Sequence, residues 1–148
     1  MERQSISKNK KAFFDFHIFD KYEAGLVLTG TEIKSVRQNK INLKDSFVRI
    51  EGGEVFLYNC HISPFDHGNR YNHEPLRTRK LLLTKKEILK IDSKVKKDGY
   101  TVVPLEIYIY KGFAKLQIAL AKGKKLHDKR EDIAKKDQKR EIERHLKY

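Results

Sequence analysis

Only one cysteine, Cys60, occurs in the 148 residues, which excludes an internal disulfide framework and fits a reducing compartment. No apolar run approaches the roughly 18–20 residues of a membrane span. The start of the chain, Met1-Glu2-Arg3-Gln4-Ser5-Ile6-Ser7, carries no apolar h-region of a signal peptide. A soluble cytoplasmic protein with no membrane attachment is the expectation. Catalytic signatures are missing as well. There is no G-x-x-x-x-G-K-[ST], since Gly123-Lys124-Lys125 lacks both the preceding glycine and the strand–helix context, and there is no G-x-S-x-G. Cys60 has no base assigned to it by sequence, and the spacing of Glu23 and Glu32 does not identify an acid/base pair. His61, His67 and His73 recur every six residues near Cys60 and Asp66, whereas zinc ligand pairs sit two to five apart. Polar loop histidines, no metal site, no cofactor and no enzymatic activity are therefore expected.

Acidic residues are in deficit, 20 against 33 basic, giving a formal charge of +13 and a pI near 9.7. That excess favours a polyanionic partner, with nucleic acid and an anionic membrane surface both open on charge alone. With 39% hydrophobic residues, 8 Phe and 7 Tyr, the chain can still bury a core. Its length suits one domain with an appendage.

From about residue 11 to 121 the chain alternates in strand fashion. Ala12, Phe14, Phe16 and Ile18 share one parity, which predicts a first strand, and Gly25–Thr29 reads as a second. Thr29-Gly30-Thr31-Glu32 starts a short helix carrying Ile33 and Val36. Ser46–Glu51 and Glu54–Asn59 flank Gly52-Gly53, a hairpin link. Residues 61–77 show no periodicity and read as a long loop, a common place for function. Thr84-Lys85-Lys86-Glu87 is a capping box, followed by the stripe Ile88, Ile91, Val95 and a stop at Gly99. Thr101–Ile109 and Ala114–Leu120 are the last strands, with Pro104 marking an edge or a bulge. The expected fold is mainly β: a small antiparallel OB-like barrel of about six strands with two or three helices, spanning residues 1–121, with a β-sandwich as the alternative.

Residues 122–148 form the appendage, with eleven basic against six acidic residues. Asp128 and Glu131 resemble a capping box. Leu126 and Ile133 lie nearly opposite Ile142 and Leu146, so no single stripe can dock as a core helix. This tail is expected to be disordered when free and helical against a polyanion.

Candidate binding residues follow. Phe13, Phe19, Tyr108 and Tyr110 are aromatics interleaved with Lys, suited to stacking on bases or to covering packed helices. Arg77-Thr78-Arg79-Lys80 sets three cations and a hydroxyl at a loop end, which suits phosphate positioning.

Several segments carry a closer likeness: Asn9-Lys10-Lys11-Ala12, Tyr22-Glu23-Ala24-Gly25, Gly30-Thr31-Glu32-Ile33-Lys34-Ser35-Val36-Arg37 and Asp45-Ser46-Phe47. They continue through His61-Ile62-Ser63-Pro64, Arg77–Leu83, Gly99–Pro104 and Ala121–Arg130. In this order they resemble the small protein B (SsrA-binding protein) family of bacterial trans-translation, from about Asn9 to Arg144. The resemblance implies an OB-like barrel that binds the tRNA-like domain of transfer-messenger RNA (tmRNA) and delivers it, with elongation factor Tu, to stalled ribosomes. It implies an RNA-binding face with Asn9, Glu23, Leu82 and Lys115. Lys11, Lys34, Arg37, Arg77, Arg79 and Lys80, within the matching segments, complete the expected tmRNA-binding set. Glu23 would accept hydrogen bonds from base amino groups or ribose hydroxyls. The tail would enter the empty mRNA channel and reach the 16S rRNA decoding centre through Gly123, Lys124, Lys125, His127, Asp128, Lys129 and Arg130, with Lys135, Lys136 and Arg140 beyond. Phe14 and Phe16 stand where other members often carry His and Tyr; Phe16 keeps a ring for stacking without a hydroxyl donor. A general single-strand-binding barrel and a small nuclease are the competing readings.

Overall fold

The computed structural model describes residues 3–65 and 72–146, with side chains as far as residue 138. Asn9 decides the start of the fold. Its side-chain oxygen accepts from the Ala12 N–H at 3.3 Å, capping a helix α1 over Lys10–Asp15 that lies between strands β1 (Gln4–Lys8) and β2 (Phe16–Leu26). This corrects the strand expected from residue 11. The alternation Ala12, Phe14, Phe16, Ile18 mimics a period of two, but only its second half is strand. Gly25 and Leu26, expected in a second strand, end the same β2.

Two capping boxes form as their spacing predicts. Thr29 and Glu32 open α2 (Gly30–Arg37), and Thr84 and Glu87 open α3 (Lys85–Asp98), each with both reciprocal hydrogen bonds. Gly99, at φ 71°, closes α3 in the left-handed conformation. Between these helices lie β3 (Ile41–Asn42), β4 (Phe47–Glu51), β5 (Glu54–Tyr58), β6 (His61–Ile62) and β7 (Arg79–Leu82). Gly52 and Gly53 supply the positive φ angles, 58° and 77°, that let β4 and β5 turn in two residues. The chain ends with β8 (Thr101–Tyr110), β9 (Phe113–Gly123) and α4 (Leu126–Leu146).

Seven strands pair in the order β1-β8-β9-β2-β7-β5-β4, every pair antiparallel, and β3 with β6 forms a separate two-stranded piece. The large sheet curls until β4 packs against β8. The mainly β antiparallel architecture is as expected, with more strands than the six expected and, among the described residues, three helices in the body and a fourth in the tail. Ala24, Leu26, Leu57, Leu81, Ile107, Leu116 and Ile118 fill the interior, closed by Val36 of α2 and Ile91 of α3. Burying each larger side chain is worth ~1.5–3 kcal/mol. β8 has a neighbour on both sides, so Pro104 does not mark an edge; the register shift between Pro104 and Glu106 is a bulge.

A second, smaller core sits on the outer face of the sheet. Ala12 of α1 packs with Val103, Leu105, Ala119 and Ala121, flanked by Phe16 and Ile18. One half of that face is thus roofed by α1, and the other half is left open.

α4 joins neither core through the residues described. Leu126 and Ile133 are exposed, as the missing stripe predicts. Its base is held by polar contacts. The Lys124 N–H donates to the Asp15 carbonyl at 2.8 Å, Lys129 Nζ lies 3.1 Å from Asp15, and His17 Nε2 lies 3.3 Å from Asp128. Lys124 also pairs with Asp132. Asp128 reaches back to the Lys125 N–H at 3.3 Å, so it sits on the third helical residue and does not open a box with Glu131.

Candidate nucleic-acid interface

Strand parity and register build the open half of the outer face. Ala24 and Leu26 point inward on β2, which turns Glu23 and Gly25 outward; Leu116 and Ile118 do the same for Lys115 and Gln117 on β9, and Leu81 for Lys80 and Leu82 on β7. Glu23 pairs with Gln117, and Gly25 lies between Lys115 and Leu82. Glu23, Lys80, Leu82 and Lys115, far apart in sequence, therefore share one surface across three adjacent strands. Gly25 suits this close approach: a Cβ would meet the Leu82 Cβ at 3.3 Å, a tight contact. Leu82 is 55% exposed, an apolar platform among polar groups. Lys80 lies 3.0 Å from Glu54, an exposed pair that holds the lysine only weakly.

Glu23 is aimed by a residue read differently from sequence. Tyr108 is buried, so it does not offer its ring for stacking; its hydroxyl donates to the Glu23 carboxylate instead. Burial, and then the hydrogen bond to Glu23, raise the phenol well above its ordinary pKa and keep it a donor at neutral pH. Arg3 covers the Tyr108 ring at 3.7 Å and pairs with Glu106 at 2.6 Å, so β1 clamps this support from outside. Arg3 and Gln117 belong to this neighbourhood and were missed. No local sequence pattern marks them; only register does.

Around this face the expected cations scatter. Lys34 and Arg37 are exposed on α2; Lys34 Nζ lies 5.4 Å from the Phe65 ring, and Arg37 donates to the Gly112 carbonyl at 3.4 Å. Lys11 stands exposed on α1, 3.7 Å from Asp45, at the mouth of a groove of about 230 Å³ walled by Phe16, Phe47 and residues 101–104. Phe13 is exposed, and Phe19 packs edge-on against Tyr100 at 5.2 Å.

Two residues expected to contact RNA are engaged inside the fold instead. Asn9 is buried, and its amide is consumed: Nδ2 donates to the Pro104 carbonyl at 2.9 Å while Oδ1 caps α1. It fastens α1 to the β8 bulge. Arg79 is fully buried, with Nε 2.6 Å from Glu32 and further donors to the carbonyls of Cys60 and Pro75. Its donors are turned inward, to the fold's own acceptors. Arg77 is partly committed to the same carboxylate, at 2.6 Å. Burial works to raise the Glu32 pKa, but hydrogen bonds from Arg77, the Thr29 N–H and Arg79 overcome it and leave the carboxyl below its ordinary value. Glu32 is thus both a helix cap and the counter-ion of two arginines.

Burial pushes the nearby Cys60 thiol up to about 12, which makes it a poor nucleophile. His73 is buried between Thr31 Oγ1 at 2.9 Å and the Ile62 carbonyl at 2.9 Å, and pins the loop over α2. His67 and Asp66 lie outside the described residues, and no group of three metal-ligating side chains exists among those described.

In the tail, Lys125, His127, Arg130, Lys135 and Lys136 are exposed, whereas Lys124, Asp128 and Lys129 are engaged in the contacts at the base of α4. Gly123 ends β9 opposite Phe16. The Arg140 side chain lies outside the described residues. No helix among the described residues is long and apolar enough to cross a membrane.

Residues 6–148 match the model of the SmpB protein family. An SsrA-binding protein of Bacillus pumilus is 62% identical over 143 residues, covering 97% of this chain and 92% of the relative. One from Geobacillus thermodenitrificans is 60% identical over 143 residues, with 97% and 92% covered. Among solved structures, a chain described as "tmRNA-SmpB: a journey to the center of the bacterial ribosome" superposes with a TM-score of 0.67 at 45% identity, covering 81% of this chain and 85% of that one. With a family match over nearly its whole length and relatives this similar, the chain belongs to the SmpB protein family.

Proposed function

We propose that this protein is a noncatalytic RNA-binding adaptor of trans-translation in the cytoplasm. Its β-sheet body grips the tRNA-like domain of tmRNA, and its tail probes the vacant mRNA channel and decoding centre of a stalled ribosome, with elongation factor Tu completing the delivery complex. The observation that carries the reading is the gathering of Glu23, Leu82 and Lys115 on one open face, in a chain 62% identical to an SsrA-binding protein.

On this reading Lys80 and Lys115 position phosphates, with Lys11, Lys34 and Arg37 contributing at the margins. Glu23, held by Tyr108, accepts from a ribose 2′-hydroxyl or a base amino group, which gives the face discrimination that charge alone does not. Residues 1–121 and 122–148 divide the labour. Through its described residues the tail joins neither core of the body; on this reading it is disordered when free and becomes an ordered helix where rRNA phosphates line its path. A channel already filled with message excludes it sterically.

Pull-down of the tagged protein followed by sequencing of co-purified RNA tests the reading. Strong enrichment of tmRNA, lost in Glu23→Gln together with Lys115→Ala, is expected. Equal recovery of bulk RNA by the wild-type protein and that variant contradicts it.

A further inference from the structure

The tip of the β8–β9 hairpin carries a feature that the Glu23 face does not explain. Lys111 and Gly112, at φ 51° and 80°, form a two-residue turn whose strand twist fixes the direction of the flanking pair, Tyr110 opposite Phe113. Phe113 is 69% exposed, more than any other large hydrophobic side chain among the described residues. Phe47 stacks on Tyr58 and Phe19 packs edge-on against Tyr100, but Phe113 has no ring partner among the described residues. Leaving a phenyl ring in water gives up most of the ~1.5–3 kcal/mol that burial would return, so the fold does not account for its position.

Its surroundings are cationic. Arg37 reaches from α2 to the Gly112 carbonyl at 3.4 Å, Lys111 lies in the turn with Nζ 5.3 Å from the Tyr110 ring, and Lys115 is two residues along on the same face. No carboxylate is paired with Arg37, Lys111 or Lys115 among the described residues. An unpartnered ring within a rim of unpaired cations has the chemistry of a nucleobase platform: every base offers a π-face to the ring, and the phosphates on either side meet the cations.

We propose that Phe113 is a stacking platform for one unpaired RNA base, with Arg37 and Lys115 holding the flanking phosphates. This rests on the proposed binding of a tRNA-like RNA and extends its footprint from the Glu23–Lys115 face to the hairpin tip. The platform explains why Arg37, on another element, is tied to the turn: its hydrogen bond to the Gly112 carbonyl holds a cation next to Phe113 in sequence without neutralising it.

The absence of tryptophan from the chain makes the test direct. Phe113→Trp installs the sole indole, and titration with an RNA comprising the tmRNA tRNA-like domain should quench its fluorescence in parallel with binding followed by gel shift. Phe113→Ala should weaken that binding about tenfold or more, while Phe113→Tyr retains it. RNA that binds the Trp variant with no change in emission, and binds the Ala variant as tightly as wild type, overturns the platform while leaving the adaptor reading intact. A wild-type protein that shows no preference for this RNA over an unstructured RNA of equal length removes the adaptor reading, and the platform with it.

Discussion

Arg79 and Arg130 are both arginines in the same basic chain, and they share little else. Arg79 has no exposed surface and spends its guanidinium on Glu32 and three backbone carbonyls. Arg130 projects from α4 with no hydrogen-bond or ion-pair partner among the described residues. The body uses charge to fix its own geometry, and the tail, beyond the pairs that anchor its base, presents exposed charge such as Arg130 to something outside. Net charge therefore says little about where this protein binds; whether each charge is already satisfied says much more. The open outer face lies between the two extremes, with Lys115 partly buried and unpaired and Lys80 in an exposed ion pair.

The contrast is broken most forcefully at the buried end. Arg79→Leu removes the buried partner of Glu32 and leaves that carboxylate to the half-exposed Arg77 alone, an expected loss of about 3 kcal/mol. Urea unfolding should show it in full, whereas Arg130→Leu should change the unfolding free energy by no more than ~0.5 kcal/mol. Equal, small effects at both positions would erase the distinction. At the face, Glu23→Gln should weaken tmRNA binding about tenfold, through the loss of a charge-assisted hydrogen bond. Tyr108→Phe should weaken it by a similar factor in the wild-type background and hardly at all beside Glu23→Gln, since Tyr108 acts through Glu23. Additive effects in that double-mutant cycle would assign Tyr108 a separate role.

Acid sharpens the comparison further. The Glu32 carboxyl sits below its ordinary value of 4.5, so its contribution to stability is complete above that value and is lost as pH falls through the lower folded pKa. Asp128 and Asp132 are also lowered, first by the hydrogen bonds from His17 and Lys124 respectively, so the anchorage of α4 should likewise persist above their ordinary 3.8 and loosen below it. Hydrogen exchange across this range should find the base of α4 opening independently of the sheet. The smallest effect concerns Cys60: with its thiol pushed up to about 12, alkylation at pH 8 should be slow in the native protein and fast in denaturant.

Much of this was legible in the sequence wherever a local rule acts alone. The Thr29–Glu32 and Thr84–Glu87 boxes, the Gly52-Gly53 turn and the alternation of β8 and β9 each depend on residues a few positions apart. The first helix was misread because Ala12, Phe14, Phe16 and Ile18 satisfy a strand's period, while the deciding group, the Asn9 cap, acts jointly with the Pro104 carbonyl ninety-five residues away. Arg79 looked like a phosphate ligand for the same reason: its partner Glu32 lies 47 positions earlier. Glu23, Leu82 and Lys115 follow from family likeness alone, and their common surface becomes intelligible only from the β9-β2-β7 register. Phe113 carries no motif; its signal is exposure, which a sequence does not display.

The division between a self-satisfied body and an uncommitted tail is tested most directly by cutting the chain after Lys125, which keeps β9 whole. Binding of the tmRNA tRNA-like domain should remain within about twofold of wild type, while tagging of peptides on stalled ribosomes in a reconstituted translation system falls to background. A truncated protein that loses its RNA affinity, or one that still supports tagging, contradicts the account.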